Sequence, residues 1–137
     1  MSFQITEALA AAFVNDWYAT LDAHAPAEQL LARTVGKEFS VHFPGRDLDY
    51  EGFCAWYLAD IHTHFNGRHR ISSMHIETDG DHATVLNHIT WKAQRWTPPA
   101  AYSEEVTLTP DVTMCLERNA SGDGILLRSY SVVDRED

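Results

Sequence analysis

The sequence predicts an α+β domain: three N-terminal helices packed on a strongly bent, mostly antiparallel sheet. Three observations carry this prediction. Apolar residues recur every four positions in two long stretches of the first half, which is the helical period. The second half alternates apolar and polar residues with the period of strands. Between Arg68 and Trp96, two such alternating runs flank Asp79-Gly80, a dipeptide suited to a tight type I′ hairpin turn.

The first helix is expected over residues 4 to about 23. Leu9, Phe13, Trp17 and Leu21 form one stripe, and Val14, Tyr18 and Asp22 form a second beside it. Ser2 or Thr6 can cap its start. A short second helix begins at Pro26, with Glu28 near its positive end and Leu30 and Leu31 as anchors. Residues 38–43 alternate, with Phe39, Val41 and Phe43 on one face and Ser40 and His42 on the other. They make a strand stopped by Pro44-Gly45. Asp49 caps a third helix over Tyr50 to Phe65, whose inner stripe is Phe53, Tyr57, Ile61 and Phe65, with Trp56 next to it. After the hairpin, Pro98 and Pro99 break the chain into a loop. Val106 to Arg118 is a strand bent at Pro110, and Ile125 to Val133 is the last strand. Nothing in the 137 residues marks a linker or a repeat, so residues 1–137 are expected to form a single domain.

Composition narrows the function classes. Twenty acidic against ten basic side chains give a formal net charge of -10. Such a chain repels a nucleic-acid backbone or an anionic membrane, so neither is expected as a partner. Cys54 and Cys115 are read as reduced and buried, in a cytoplasmic protein. The first residues lack the basic start and cleavage site of a signal peptide, and no apolar run approaches a membrane span.

The hairpin decides what the interior holds. With Asp79 and Gly80 as the two loop residues, Thr78 faces Asp81 and the later pairs follow. Arg70, Ser72, Met74 and Ile76 then oppose Ile89, Asn87, Val85 and Ala83. The other face carries His69, Ile71, Ser73 and His75 opposite Thr90, His88, Leu86 and Thr84. Read from these residues alone, the mostly apolar face packs inward. A slip of one residue exchanges the faces.

Three stretches, YATLDAHAPAEQLL, FSVHFPG and RHRISSMHIETDGDHATV, resemble the nuclear transport factor 2-like superfamily, which includes SnoaL-like polyketide cyclases, scytalone dehydratase and steroid isomerases. The likeness spans nearly the whole chain. It implies a cone-shaped, cystatin-like fold, with the bent sheet wrapped around the helices. It also reverses the choice of face: Thr84, Leu86, His88 and Thr90 would point into the cone, with His69 and Ser73. Val85, Ile89 and Trp91 would then lie on the convex side, where a homodimer would bury them.

Site residues follow from the same resemblance. Asp22 falls where the dehydratase holds its first-helix aspartate, and His69 where it holds the histidine that opens the hairpin. Its second histidine would fall near Gln94. The isomerase's general base position is occupied by Phe43 and its first-helix tyrosine by Trp17, while Tyr57 matches a phenol on the third helix. The expected catalytic pair is Asp22 and His69, within hydrogen-bonding reach of each other. Tyr18, Trp17, Tyr57, Phe43, Ser73, His88 and Thr90 are expected to line the pocket.

Other chemistry has less support. His69 and His88 with Asp22 or Glu77 could supply metal ligands, but no HExxH or CxxC framework exists and no metal is expected. No GxSxG motif or glycine-rich phosphate loop is present. General acid–base chemistry fits best, because a histidine beside a carboxylate exchanges protons near neutrality. The sequence therefore points to a cofactor-free lyase, isomerase or cyclase acting on a small carbonyl compound. The alternatives are a binding module holding a small hydrophobic ligand in the same cone, and an interaction domain whose cone is filled.

Overall fold

The computed structural model describes residues 4–134. Helix α1 (Glu7–Asp22) starts at Thr6, whose hydroxyl accepts the Leu9 amide at 3.2 Å. Ser2, the other possible cap, lies outside the described residues. Helix α2 (Ala27–Leu31) follows Pro26, and helix α3 (Tyr50–Thr63) is capped by Asp49, which accepts the Gly52 amide at 2.7 Å. No helix among the described residues is long and apolar enough to cross a membrane.

Among the described residues seven strands form one sheet: β1 (Ser40–Phe43), β2 (Arg46–Leu48), β3 (His64–Asp79), β4 (His82–Arg95), β5 (Glu104–Leu108), β6 (Asp111–Arg118) and β7 (Ile125–Val133). Their order is β2-β1-β7-β6-β4-β3, with β5 on the outer end of β4. All pairings are antiparallel except β1 with β7. The sheet is strongly curved and unclosed, and the helices fill its concave side, as the α+β prediction required.

Three elements differ from the sequence reading. Helix α3 ends at Thr63, and His64 and Phe65 instead open β3. Pro44-Gly45 turns the chain back into β2, a short strand that the polar run Arg46–Leu48 did not announce. Pro110 separates β5 from β6 and does not merely bend one strand. On α1 the buried side is Ala10, Val14, Trp17 and Tyr18, while Leu9 is exposed. The contact face thus runs between the two predicted stripes.

The face of the hairpin is the main correction. Ala83, Val85, Asn87 and Ile89 are buried, and Leu86 between them is 47% exposed. The apolar face of β4 therefore lies in the core with Trp17, Phe39, Phe53, Met114 and Leu127. Val85 and Ile89 are not available to a partner subunit, and the homodimer surface expected there does not exist. Burial of the aliphatic side chains decided the matter; each is worth roughly 1.5–3 kcal/mol when removed from water. The register also differs. Asp79 pairs with His82 and Thr78 with Ala83, which leaves Gly80 and Asp81 in the turn. Gly80 adopts φ +64° there, a conformation glycine takes without strain.

The strand β3 carries a bulge between Ile71 and Ser73. Ile71 pairs with Ile89 and Ser73 with His88, so Ser72 is the extra residue. This single insertion changes the phase. On the tip side of the bulge Met74 and Ile76 face the core; on the base side His69 and Ile71 do. His69 is therefore inward although the rest of its predicted face is not.

Candidate active site

The site lies where the C-terminal ends of α1 and α3 meet the base of the β3–β4 hairpin. Asp22 is the last residue of α1, and His69 sits on β3 one step from the bulged segment. The Asp22 carboxylate holds His69 twice. Oδ2 accepts the His69 backbone amide at 2.9 Å, and Oδ1 lies 2.6 Å from the ring Nδ1. The contact expected between these residues is present. Its consequence is tautomeric: with Nδ1–H turned to the carboxylate, Nε2 is left as the exchangeable position. The His69 and Asp22 side chains are 13% and 22% exposed.

Aromatic rings fix the plane of the imidazole. Tyr18 stacks on His69 with centroids 4.8 Å apart, and Trp91 meets the ring at 6.1 Å. Gly67 makes room for Trp91, since a Cβ at this position would come within 3.2 Å of the indole nitrogen. The Tyr18 hydroxyl donates to Asn87 Oδ1 at 2.7 Å, and Asn87 Nδ2 donates to the Val112 carbonyl at 3.3 Å. Burial, then the neighbouring Tyr130 and the charge of Asp22, pushes the Tyr18 pKa far above its usual value, so this phenol stays protonated. Tyr130 is likewise held neutral, chiefly by burial. Tyr57, on α3, donates to the Ala25 carbonyl at 2.6 Å and so ties the end of α1 to α3. Burial, then Asp60, raises its pKa.

The remaining expected pocket residues divide. Trp17 is fully buried, stacks on Phe53 at 6.1 Å and packs against Tyr130 at 5.9 Å. Phe43 packs on Trp56 at 4.8 Å and on Tyr130. Ser73, His88 and Thr90 lie on the opposite surface of the sheet from His69: the odd-numbered residues of β4 face the core, and the bulge puts Ser73 out of phase with His69. His88 there pairs with Asp111. His69 and His88 thus cannot share a metal ion, and no group of three metal-ligating side chains occurs among the described residues. An open groove of about 580 Å³ lined by Lys37, His42, Asp47 and Asp49 is built on β1, β2 and the start of α3, away from the pair.

Two groups at the site were missed by the sequence reading. Asn87 lies on the apolar face of β4, where a lone amide between Val85 and Ile89 was the available signal. His64 was placed on a helix, yet it opens β3, with its Nδ1 3.0 Å from Asp60 Oδ1.

No protein-family model and no curated protein matches the chain. Solved structures do. A proposed dehydratase of the nuclear transport factor 2-like family from Streptomyces avermitilis superposes with a TM-score of 0.81 at 15% identity, over 95% of this chain and 97% of that one. The chain has the nuclear transport factor 2-like fold. A proposed scytalone dehydratase from Novosphingobium aromaticivorans gives 0.79 at 14% identity, covering 94% of this chain and 83% of that one. A proposed aromatic ring hydroxylase from the same organism gives 0.80 at 10%, covering 95% and 89%. These nuclear transport factor 2-like neighbours carry names for different reactions, so the shared cone does not by itself select one.

Proposed function

We propose that this protein is an enzyme that moves a proton at carbon beside a carbonyl group, using its side chains alone. The reaction class is that of a lyase, isomerase or cyclase acting on a small, fairly apolar carbonyl compound. One observation carries the reading: the two-point hold of Asp22 on His69, which leaves Nε2 free in a mostly buried aromatic setting. In this role neutral His69 takes the proton, and Asp22 stabilises the imidazolium that results. The dehydratase names among the structural neighbours support the same class.

The test uses 2-tetralone in deuterium oxide, with NMR following exchange of the protons beside its carbonyl. The parent protein should accelerate exchange. Asp22→Asn and His69→Gln should each lower the rate by about 10²–10⁴-fold, the usual contribution of a positioned base. Thermal stabilisation by 2-tetralone should persist in both variants. Stabilisation of the parent without exchange would identify a binding module instead.

A further inference from the structure

The outer surface of the sheet carries an unneutralised positive patch at the base of the hairpin. Arg68 pairs with Lys92 across β3 and β4, and Arg70 pairs with Thr90. These rungs lie between the two slips of the ladder, where alternation is regular. His69 and Ile71 face the helices there, and Arg68 and Arg70 face out. On β4, Ile89 and Ala93 are buried, which puts Thr90 and Lys92 on the outer surface with the two arginines. All three cations are exposed. Thr107 of β5 lies opposite Lys92 and extends the row.

Like charges directly opposite each other across strands destabilise a sheet. Other cations of the chain are neutralised: Arg33 pairs with Asp16, Arg95 with Glu104, and Arg128 with Glu38 and Glu117. Arg68, Arg70 and Lys92 make no hydrogen bond or ion pair among the described residues, in a chain with 20 acidic and 10 basic side chains. Glu105, opposite Gln94 on β5, shares their face and makes no ion pair with Lys92 among the described residues. Asp111, on the same surface, is engaged by His88.

We propose that Arg68, Arg70 and Lys92 form a binding site for a small phosphorylated compound, and that the group recognised is a phosphate monoester dianion. The site is independent of the chemistry assigned to His69, which lies on the other surface. Outward residues two apart on a strand stand about 6.6 Å apart, and residues across a rung about 5 Å apart. One phosphate group can therefore meet both guanidinium forks and the ammonium together, with the Thr90 hydroxyl beside them. A guanidinium fork matches two phosphate oxygens at once. The dianion supplies the counter-charge that the Arg68–Lys92 rung lacks. The surroundings set the size of the ligand. Glu77 and Asp79 at the hairpin tip, and Glu104 and Glu105 on β5, are exposed. A nucleic-acid strand or an anionic membrane would run over these carboxylates. A single phosphate at about 0.1 M salt feels chiefly the charges within roughly 10 Å.

The experiment titrates phenyl phosphate into nitrogen-15-labelled protein at constant ionic strength and about pH 8, where the phosphate is a dianion. NMR should show saturable shifts of the Arg68, Arg70 and Lys92 amides and of the arginine Nε–H signals. Inorganic phosphate should displace the probe from the same residues. Benzenesulfonate, a monoanion with the same ring, should bind about tenfold more weakly or less. Arg68→Gln, Arg70→Gln and Lys92→Gln should each weaken binding by about tenfold or more, the usual loss for a charge-assisted hydrogen bond. The three side chains are exposed, so these variants should fold as the parent does. Glu105→Gln should tighten binding, because it removes a competing negative charge. Shifts that rise without saturating, or an equal response to benzenesulfonate, overturn the inference. So does parent-like binding in the three cation variants. The cations would then serve only to keep the edge strand β3 from pairing with another chain.

Discussion

The two halves of the β3–β4 hairpin obey different rules. From Ser73 to the turn, and back to His88, alternation holds strictly: Met74, Ile76, Val85 and Asn87 face in, and His75, Glu77 and Leu86 face out. Below the bulge the ladder slips twice, between Ile71 and Ser73 and again between Phe65 and Arg68. His64, Gly67, His69 and Trp91 all belong to this irregular half. The regular half builds core; the irregular half positions ionisable groups beside the ends of two helices. A bulge bends and re-aims a strand, and here it turns a histidine toward the helices without giving up the apolar seal above it.

The strongest test of this contrast is in the regular half. Val85 is fully buried and Leu86 is about half exposed, although they are neighbours in sequence. Val85→Asp places an unpaired carboxylate beside Met114 in the apolar core, and the variant should fail to accumulate as folded protein. Leu86→Asp should fold with a melting temperature within a few degrees of the parent. Circular dichroism melts of the two purified proteins make the comparison. The reverse outcome would restore the face order that the family resemblance implied.

That order failed for a physical reason. The helices, the turn region, the last strand and the inward side of β4 could all be read from periodicity, which reports burial. The resemblance reported the family's usual face and was applied to the whole hairpin as a rigid register. Asp22 and His69 nevertheless meet as the resemblance implied, because the bulge shifts His69 back to the inner side. Ser72-Ser73 gives no clear sign of a bulge, since either serine suits an exposed strand position. His64 was hidden by continuity: the stripe Phe53, Tyr57, Ile61 and Phe65 runs past the true helix end, and Phe65 turns out to be exposed on β3.

At the junction between the halves, Tyr18 joins the helix to the sheet through Asn87. Tyr18→Phe keeps the ring that stacks on His69 and removes the donor to Asn87 Oδ1. A buried amide oxygen left unsatisfied costs about 1–3 kcal/mol. Denaturant unfolding should show a loss in that range. The exchange rate of 2-tetralone should fall less than tenfold, because the Asp22–His69 contact does not depend on the hydroxyl. A larger fall in rate would place the phenol itself against the substrate.

The smallest expected effect concerns Asp60, in the irregular half. Two influences oppose each other there. Burial raises its pKa, while His64, then His24 and His69, lower it; the net direction is upward, so burial prevails. A carboxyl raised on folding binds its proton more tightly in the native state. Its contribution to stability is therefore greatest below the ordinary aspartate value of about 3.9 and is lost as pH rises through the higher native value. Asp60→Asn removes this dependence. The stability of the variant relative to the parent should therefore climb as pH rises from about 4 through that native value and then level off, while in more acid solution the difference between the two proteins should be flat. Unfolding by urea at a series of pH values measures the difference directly. A relative stability that falls over the same interval would mean that the ion pair with His64 outweighs burial, and Asp60 would then resemble an ordinary helix-end partner of a surface histidine.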